Sequence, residues 1–234
     1  MKKILILLFF PLILHAESYT FSGGKDNTVH IIASQILIKA YARAGIEVTP
    51  LFITLADSLK RSNSGETDGE LSRISEITKI YPNLRKVPVS IIYVEAAAFS
   101  KNTSLNIKKW SDLKGHKITI IKGAKFIETG TKDIIKRELV DTIDDALKQL
   151  VNDETEIIVM PKLSGLSQIY KNKYKDIKEV GPALKKMKQY HFVHKKNIHL
   201  IPVITPILKK MEQSGEISYM RGSYLRKFSN SLLR

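Results

Sequence analysis

Between Tyr19 and Val48 the hydrophobic period of the chain changes twice, and that change constrains the fold more than any other feature of the sequence. Residues 19–21 read as a short strand, and Ser22-Gly23-Gly24-Lys25 is a flexible turn followed by Thr28, a residue able to cap a helix. From His30 the apolar side chains recur at helical spacing, with Ile32, Ile36 and Ala40 on one row and Leu37, Tyr41 and Ala44 on the next. Gly45 stands where a helix stops, and Ile46-Glu47-Val48 resumes as a strand. Strand, helix and strand joined in this way match the connection of a right-handed parallel crossover, which places the chain among α/β folds.

The same grammar repeats. Thr54 is positioned to cap a second helix through Asn63, Ser64-Gly65 ends it, and residues 68–74 form the next strand. In open α/β sheets, ligands sit beyond the carboxyl ends of the strands, and Arg73 lies at that end. Strand alternation puts Asp68, Glu70 and Ser72 on one face and Gly69, Leu71 and Arg73 on the other. Arg73 is therefore either a donor for a ligand or the partner of Glu70 or Glu76 in a structural ion pair.

A second unit follows. Residues 91–99 are apolar enough for a strand crossing between two lobes, and residues 110–115 form a compact turn before a strand at 117–121. Gly123 ends that strand and opens a helix around 125–128, whose free N–H groups favour an anion. Thr142 caps a helix ending near Asn152, residues 156–160 are a buried strand, and 164–170 are helical. Residues 190–194 alternate like a strand returning to the first lobe, and Thr205-Pro206 starts a last helix that Gly215 ends.

Lys2 and Lys3, the apolar run 4–14 and the small Ala16 have the form of a secretory signal peptide over residues 1–16, cleaved after about Ala16. The run is shorter than the roughly 20 residues that span a bilayer. With no cysteine in the chain, neither lipid attachment at an N-terminal Cys nor a disulfide is available, and a free periplasmic protein is expected. The formal charge is +15, two of which belong to Lys2 and Lys3. The remaining lysines are scattered without interleaved aromatic residues, which favours a solvated basic surface, and export argues against nucleic acid as a partner.

No enzyme is expected. There is no thiol nucleophile, no Gly-x-Ser-x-Gly, and "LKGHKITIIKGAK" lacks the phosphate-loop pattern. His191, His194 and His199 alternate to different faces rather than forming a metal-ligand cluster, so no metal or cofactor is expected. Asp144-Asp145 and Asp153-Glu154 fall at a helix start and a turn, where solvation and the helix dipole explain them.

Several segments together resemble one family: "ILIKAYARAGIEV", "LKRSNSGETDGEL", "WSDLKGHKITIIKGA", "DDALKQLVNDETEIIVM" and, near the end, "LKKMEQSGEI". In order and spacing they are similar to extracellular solute-binding protein family 3, the polar amino-acid receptors of type II periplasmic binding fold. The resemblance implies an α/β protein of two lobes with mixed, mainly parallel sheets and a hinge. Residues 17–97 plus 190–234 would form the first lobe and 98–189 the second. It implies a monomer that closes around a small polar, carboxylate-bearing ligand for an inner-membrane ABC transporter or a sensor. An interaction or sensor module docking on a membrane partner or an anionic surface is the alternative, and a periplasmic enzyme on the same fold is a third reading.

The sequence departs from the family at its ligand residues. The family places a Thr and an Arg on the loop after the Asp-started strand, whereas "ISEITKIYPNL" has no Arg before Arg85 and Arg73 comes earlier. Pro161-Lys162 stands where the family has an acid for the α-amino group, so an anionic ligand without an ammonium fits at least as well as an amino acid. The ligand residues expected on this basis are Arg73 as a bidentate donor, Gly123 and Lys125 as anion contacts, and Tyr93 or Tyr19 as an aromatic wall. Glu70 and Glu95 would orient Arg73 or meet a positive group, unless each is a plain salt bridge.

Overall fold

In the computed structural model, which describes residues 17–232, the first crossover runs from β1 (Ser18–Gly24) through α1 (Thr28–Ala42) to β2 (Glu47–Ile53). The segment read as a signal peptide lies outside the described residues. β1 and β2 pair in parallel from Ser18 opposite Glu47 to Gly24 opposite Ile53. Asn27, not Thr28, caps α1, its Oδ1 accepting the His30 N–H at 3.2 Å, and Gly45 takes φ +72° just beyond the helix. Thr54 caps α2 (Leu55–Ser64), its Oγ1 accepting the Asp57 N–H at 3.1 Å, and Gly65 ends the helix at φ +84°.

After β3 (Gly69–Ile74) the chain enters β4 (Leu84–Ser100), a strand of 17 residues. The second set of crossovers comprises β5 (Ile118–Ile121), α3 (Lys125–Gly130), β6 (Arg137–Val140), α4 (Ile143–Val151), β7 (Ile157–Pro161) and α5 (Lys162–Lys171). A short β8 (Lys178–Glu179) and the long return strand β9 (Lys185–His194) follow, then α6 (Leu200–Gln213) and α7 (Glu216–Leu232). The sheet order is β2-β1-β3-β9-β4-β7-β5-β6, with β8 beside β4. Pairing is parallel at both ends and antiparallel through β3, β9, β4 and β7.

Two large apolar cores and a smaller cluster of Leu59, Ile77, Leu84 and Phe192 lie along this sheet. One packs α1 and α6 against β1, β3 and the first part of β4, including Phe21, Ile36, Leu71, Ile91, Val94 and Leu208. The other packs α4 and α5 against β5, β7 and the end of β4, including Ala96, Phe99, Ile120, Leu147 and Ile158. β4 supplies both, and the handover between Val94 and Ala96 marks where the sheet passes from one core to the other.

Three elements differ from the sequence reading. β6 is a four-residue edge strand with no fully buried residue, so its pattern carries little signal. α6 begins at Leu200, five residues before Thr205, and contains Pro206. Pro202 and Pro206 are both exposed, so the carbonyl that Pro206 leaves without a donor lies on the solvent side. α7 continues beyond Gly215, which takes φ +76° and links two helices instead of ending the last one.

His191 is buried inside the first core. Its Nδ1–H donates to the Glu70 carbonyl at 2.7 Å, the Tyr41 hydroxyl donates to Nε2 at 2.9 Å, and the Phe21 ring meets it edge-on at 4.5 Å. Burial lowers its pKa from 6.5 to about 4. The unfolded chain therefore takes up this proton near pH 6.5 and the folded chain only near 4, so the neutral histidine's contribution is complete above 6.5 and falls through that window. Urea unfolding at pH 7.5 and 5 is expected to show a loss of roughly 2 kcal/mol from this histidine, at about 1.4 kcal/mol per unit. The drop should shrink in His191→Gln; an equal drop in that variant would assign the pH dependence to other groups.

Candidate functional site

The carboxyl end of β3 carries the central feature. Glu70 lies opposite Phe192 of β9, but Arg73 lies opposite Tyr190, so three steps on β3 face two on β9. This bulge reverses the alternation expected from the sequence and brings the Glu70 and Arg73 side chains together. The Arg73 Nε–H donates to Glu70 Oε2 at 2.7 Å, with the two side chains 6% and 0% exposed. Of the two earlier readings of Arg73, the ion pair with Glu70 is thus formed.

Glu70 is further held by α2. Ser58 and Ser62, four residues apart on its buried face, donate to Glu70 Oε1 at 2.6 and 2.9 Å. The other edge of the guanidinium meets two neutral carbonyls. Nη2 donates to Leu55 O at 3.1 Å, at the start of α2, and Nη1 to Gly123 O at 3.4 Å, in the turn between β5 and α3. One side chain of β3 therefore ties the first core's elements to the turn that leads the second core's α3.

The two sides are in close contact here. Gly123 has φ +89°, and a Cβ at this position would lie 2.6 Å from the Leu55 carbonyl carbon and from the Ala56 nitrogen. Leu55 itself packs into the second core. Between them remains a cavity of about 20 Å³, room for about one water. Its lining includes Asn27, His30, Arg73, Lys125, Phe126 and Gln189, and contains no Asp or Glu. Two bonds to α5 lie nearby: the Thr28 N–H donates to Ser164 Oγ at 3.1 Å, and Gln168 Nε2 to Asp26 Oδ1 at 3.3 Å.

His30 completes this wall as a neutral ring. Its Nδ1 accepts the Gly24 N–H at 2.7 Å and the ring donates to the Ser72 backbone. Burial, and then the charge of Arg73, hold its pKa well below the usual histidine value. Gln189 accepts the Ser72 hydroxyl at 2.7 Å through Oε1.

The remaining expected residues divide. Gly123 and Lys125 line the cavity, but the donors foreseen for a ligand anion are engaged by the chain's own Glu128. The Gly123 N–H reaches Glu128 Oε1 at 2.6 Å and Lys125 Nζ reaches Oε2 at 2.6 Å. Tyr19 lies at the opposite end of β1, where its hydroxyl donates to Glu17 at 2.9 Å and its ring stacks on Phe21. Tyr93 and Glu95 lie on β4 outside this cavity, with Glu95 paired to Lys186 at 3.2 Å. Glu70, Arg73, Gly123 and Lys125 are thus brought together, and Tyr19, Tyr93 and Glu95 are not. Ser58, Ser62, His30 and Gln189 complete the site. The spacing of Ser58 and Ser62 on the apolar face shared with Leu55 and Leu59 is the one sequence signal that could have revealed them.

Solved structures with the same architecture include a histidine kinase sensor domain with similarity to periplasmic binding proteins. It has a TM-score of 0.77 at 16% identity, covering 90% of this chain and 96% of that one. A mutant of ArgBP from T. maritima aligns at TM-score 0.75 and 17% identity, over 89% and 95%. The amino acid ABC transporter substrate-binding protein AbpA from Streptococcus pneumoniae, bound to L-arginine, aligns at 0.73 and 15%, over 90% and 95%. The fold is that of the two-lobed periplasmic binding proteins. β4 contributes to both apolar cores, and the Arg73 cavity lies beside the β4 residue Val94, close to where one core gives way to the other. An uncharacterized protein of Shewanella oneidensis is 23% identical over 190 residues, covering 78% of this chain and 72% of its own. No protein-family model matches the sequence.

Proposed function

We propose that this protein is a periplasmic receptor that closes on a small carboxylate without an ammonium group and presents the closed form to a membrane partner, either a transporter or a sensor. The observation that carries this reading is the division of labour on Arg73. Glu70 holds Nε, while the Nη1 and Nη2 edge, directed at the cleft, is held only by two neutral carbonyls at 3.4 and 3.1 Å. A carboxylate that entered the open cleft would exchange those bonds for a bidentate pair in which the acceptor is charged as well as the donor.

The cleft also selects by charge. Solved proteins of this fold hold arginine, but here no acidic side chain lines the cavity and both Arg73 and Lys125 do. With Glu70 turned to Arg73 and Glu128 to Lys125, a cationic ligand would find no free carboxylate in this lining to pair with. Ile74, Ile77 and Phe126 offer an apolar wall for the ligand's body. Since the closed cavity holds about one water, the ligand must enter with the lobes apart, and its binding energy works against the Arg73 bonds already present.

A thermal-melt screen of the secreted form against amino acids, dicarboxylates, monocarboxylates and sugar acids tests this. A ligand at about 100 times its dissociation constant adds roughly 2.7 kcal/mol. Hits are expected among acids lacking an amino group, and Arg73→Lys, which keeps the charge but not the planar fork, should abolish the shift. Hits confined to cationic amino acids, or a shift retained in Arg73→Lys, would sink the proposal.

A further inference from the structure

On the far side of the contact between α1, β4 and α5 lies a second cavity, of about 340 Å³. That is the size at which small-molecule sites begin. Its walls are apolar: Val29 and Ile32 from α1, Val94 from β4, and Leu163 and Leu166 from α5, with α7 closing one side. Neighbouring residues line the Arg73 cavity instead, among them His30 beside Val29 on α1 and Pro161, the last residue of β7, beside Lys162. The two cavities are therefore separated by a single layer of side chains, and Val94 lines both.

The rim is built from charges that do not cancel. Lys162 is paired with Glu179 at 2.8 Å and Glu95 with Lys186 at 3.2 Å. Arg221 of α7 donates to Ser218 Oγ at 3.0 Å and lies with its Cζ 5.6 Å from the centre of the Tyr93 ring, but has no carboxylate partner among the described residues. Lys186 Nζ lies 3.8 Å from the centre of the same ring, which is 40% exposed. An apolar chamber with one uncompensated guanidinium at its mouth complements an amphipathic anion: a hydrocarbon body inside and a carboxylate on Arg221.

We infer that this cavity is a second ligand site, specific for a medium-chain monocarboxylate and distinct from the cleft. Its volume of about 340 Å³ falls in the range of small-molecule sites and suits a medium-length acyl chain. Because α1 and α5 supply opposite walls and are bonded to each other through Thr28 and Ser164, a molecule seated between them holds the closed arrangement of the lobes. The inference does not depend on what the cleft binds.

Isothermal titration of the secreted form with decanoate, below its micelle concentration, provides the test, with decyltrimethylammonium as the cationic counterpart. Decanoate is expected to bind at one site, and the cation not to bind there. Arg221→Glu should weaken decanoate about tenfold or more, the loss of a charge-assisted contact. Ser218→Trp, at an exposed helical position, should fill the mouth and block binding while leaving the urea midpoint unchanged. No binding of decanoate, equal binding of the two amphiphiles, or full decanoate affinity in both variants would overturn the inference. So would binding that survives Arg221→Glu but is lost in Arg73→Lys, since that places decanoate in the cleft.

Discussion

Glu70→Ala is expected to destabilise the protein by about 3–5 kcal/mol, because it leaves the Arg73 guanidinium buried with only carbonyl partners. The surroundings are dry: the Glu70 side chain is fully buried and that of Arg73 is 6% exposed. The carboxylate accepts from two serines and one arginine, so its removal strands three donors at once. Arg73→Ala should cost less, since Ser58 and Ser62 continue to donate to Glu70. The double variant Glu70→Leu with Arg73→Met should be far less destabilised than the sum of the single changes, because the pair leaves together. Urea unfolding of the four proteins gives the coupling directly. A cost below about 1 kcal/mol for Glu70→Ala would mean that water reaches the pair, and that the pair does not anchor the cleft.

That pair also shows where sequence reasoning stops. Arg73 lies at the carboxyl end of β3, which is legible in the sequence because strand polarity follows from the order of helix caps, glycines and apolar runs around it. Thr54, Gly65 and Thr142 act where their local patterns put them. The bulge is different: it exists only relative to β9, more than a hundred residues later in the chain, and it inverts which side chains share a face. Alternation alone therefore separated Glu70 from Arg73. Glu128 was missed although it stands five residues after Gly123 and three after Lys125, in reach of both from the first turn of α3. Aromatic type alone was a poor guide to a ligand wall. Tyr19 begins β1, the wrong end of a parallel strand for a cleft, and Tyr93 belongs to the second cavity. Pro206 read as a helix start because proline favours the first turn, yet here the solvent-facing side of α6 tolerates it.

Gly123→Ala is expected to hold the lobes apart. The closed arrangement leaves 2.6 Å between the new Cβ and the backbone of Leu55 and Ala56, a distance that no side-chain rotation can relieve. Overpacking of this kind costs about 1–3 kcal/mol, and an alanine at φ +89° adds about 1 kcal/mol. The overpacking part, about 2 kcal/mol, falls on the closed state alone and shifts the closed-to-open ratio by roughly thirtyfold. The strain at φ > 0 alone does not require opening, and Gly45→Ala separates the two effects, because Gly45 has φ +72° but nothing within 4 Å of its added Cβ. Small-angle scattering should therefore show a larger radius of gyration for Gly123→Ala and an unchanged one for Gly45→Ala, with both variants folded. An open form would also free Arg73 from the Gly123 carbonyl, so ligands of the cleft should find the guanidinium edge exposed but lose the contacts that closure adds. If the scattering of Gly123→Ala matches the parent and its affinity is intact, the turn yields without moving the lobes, and Gly123 does not control closure.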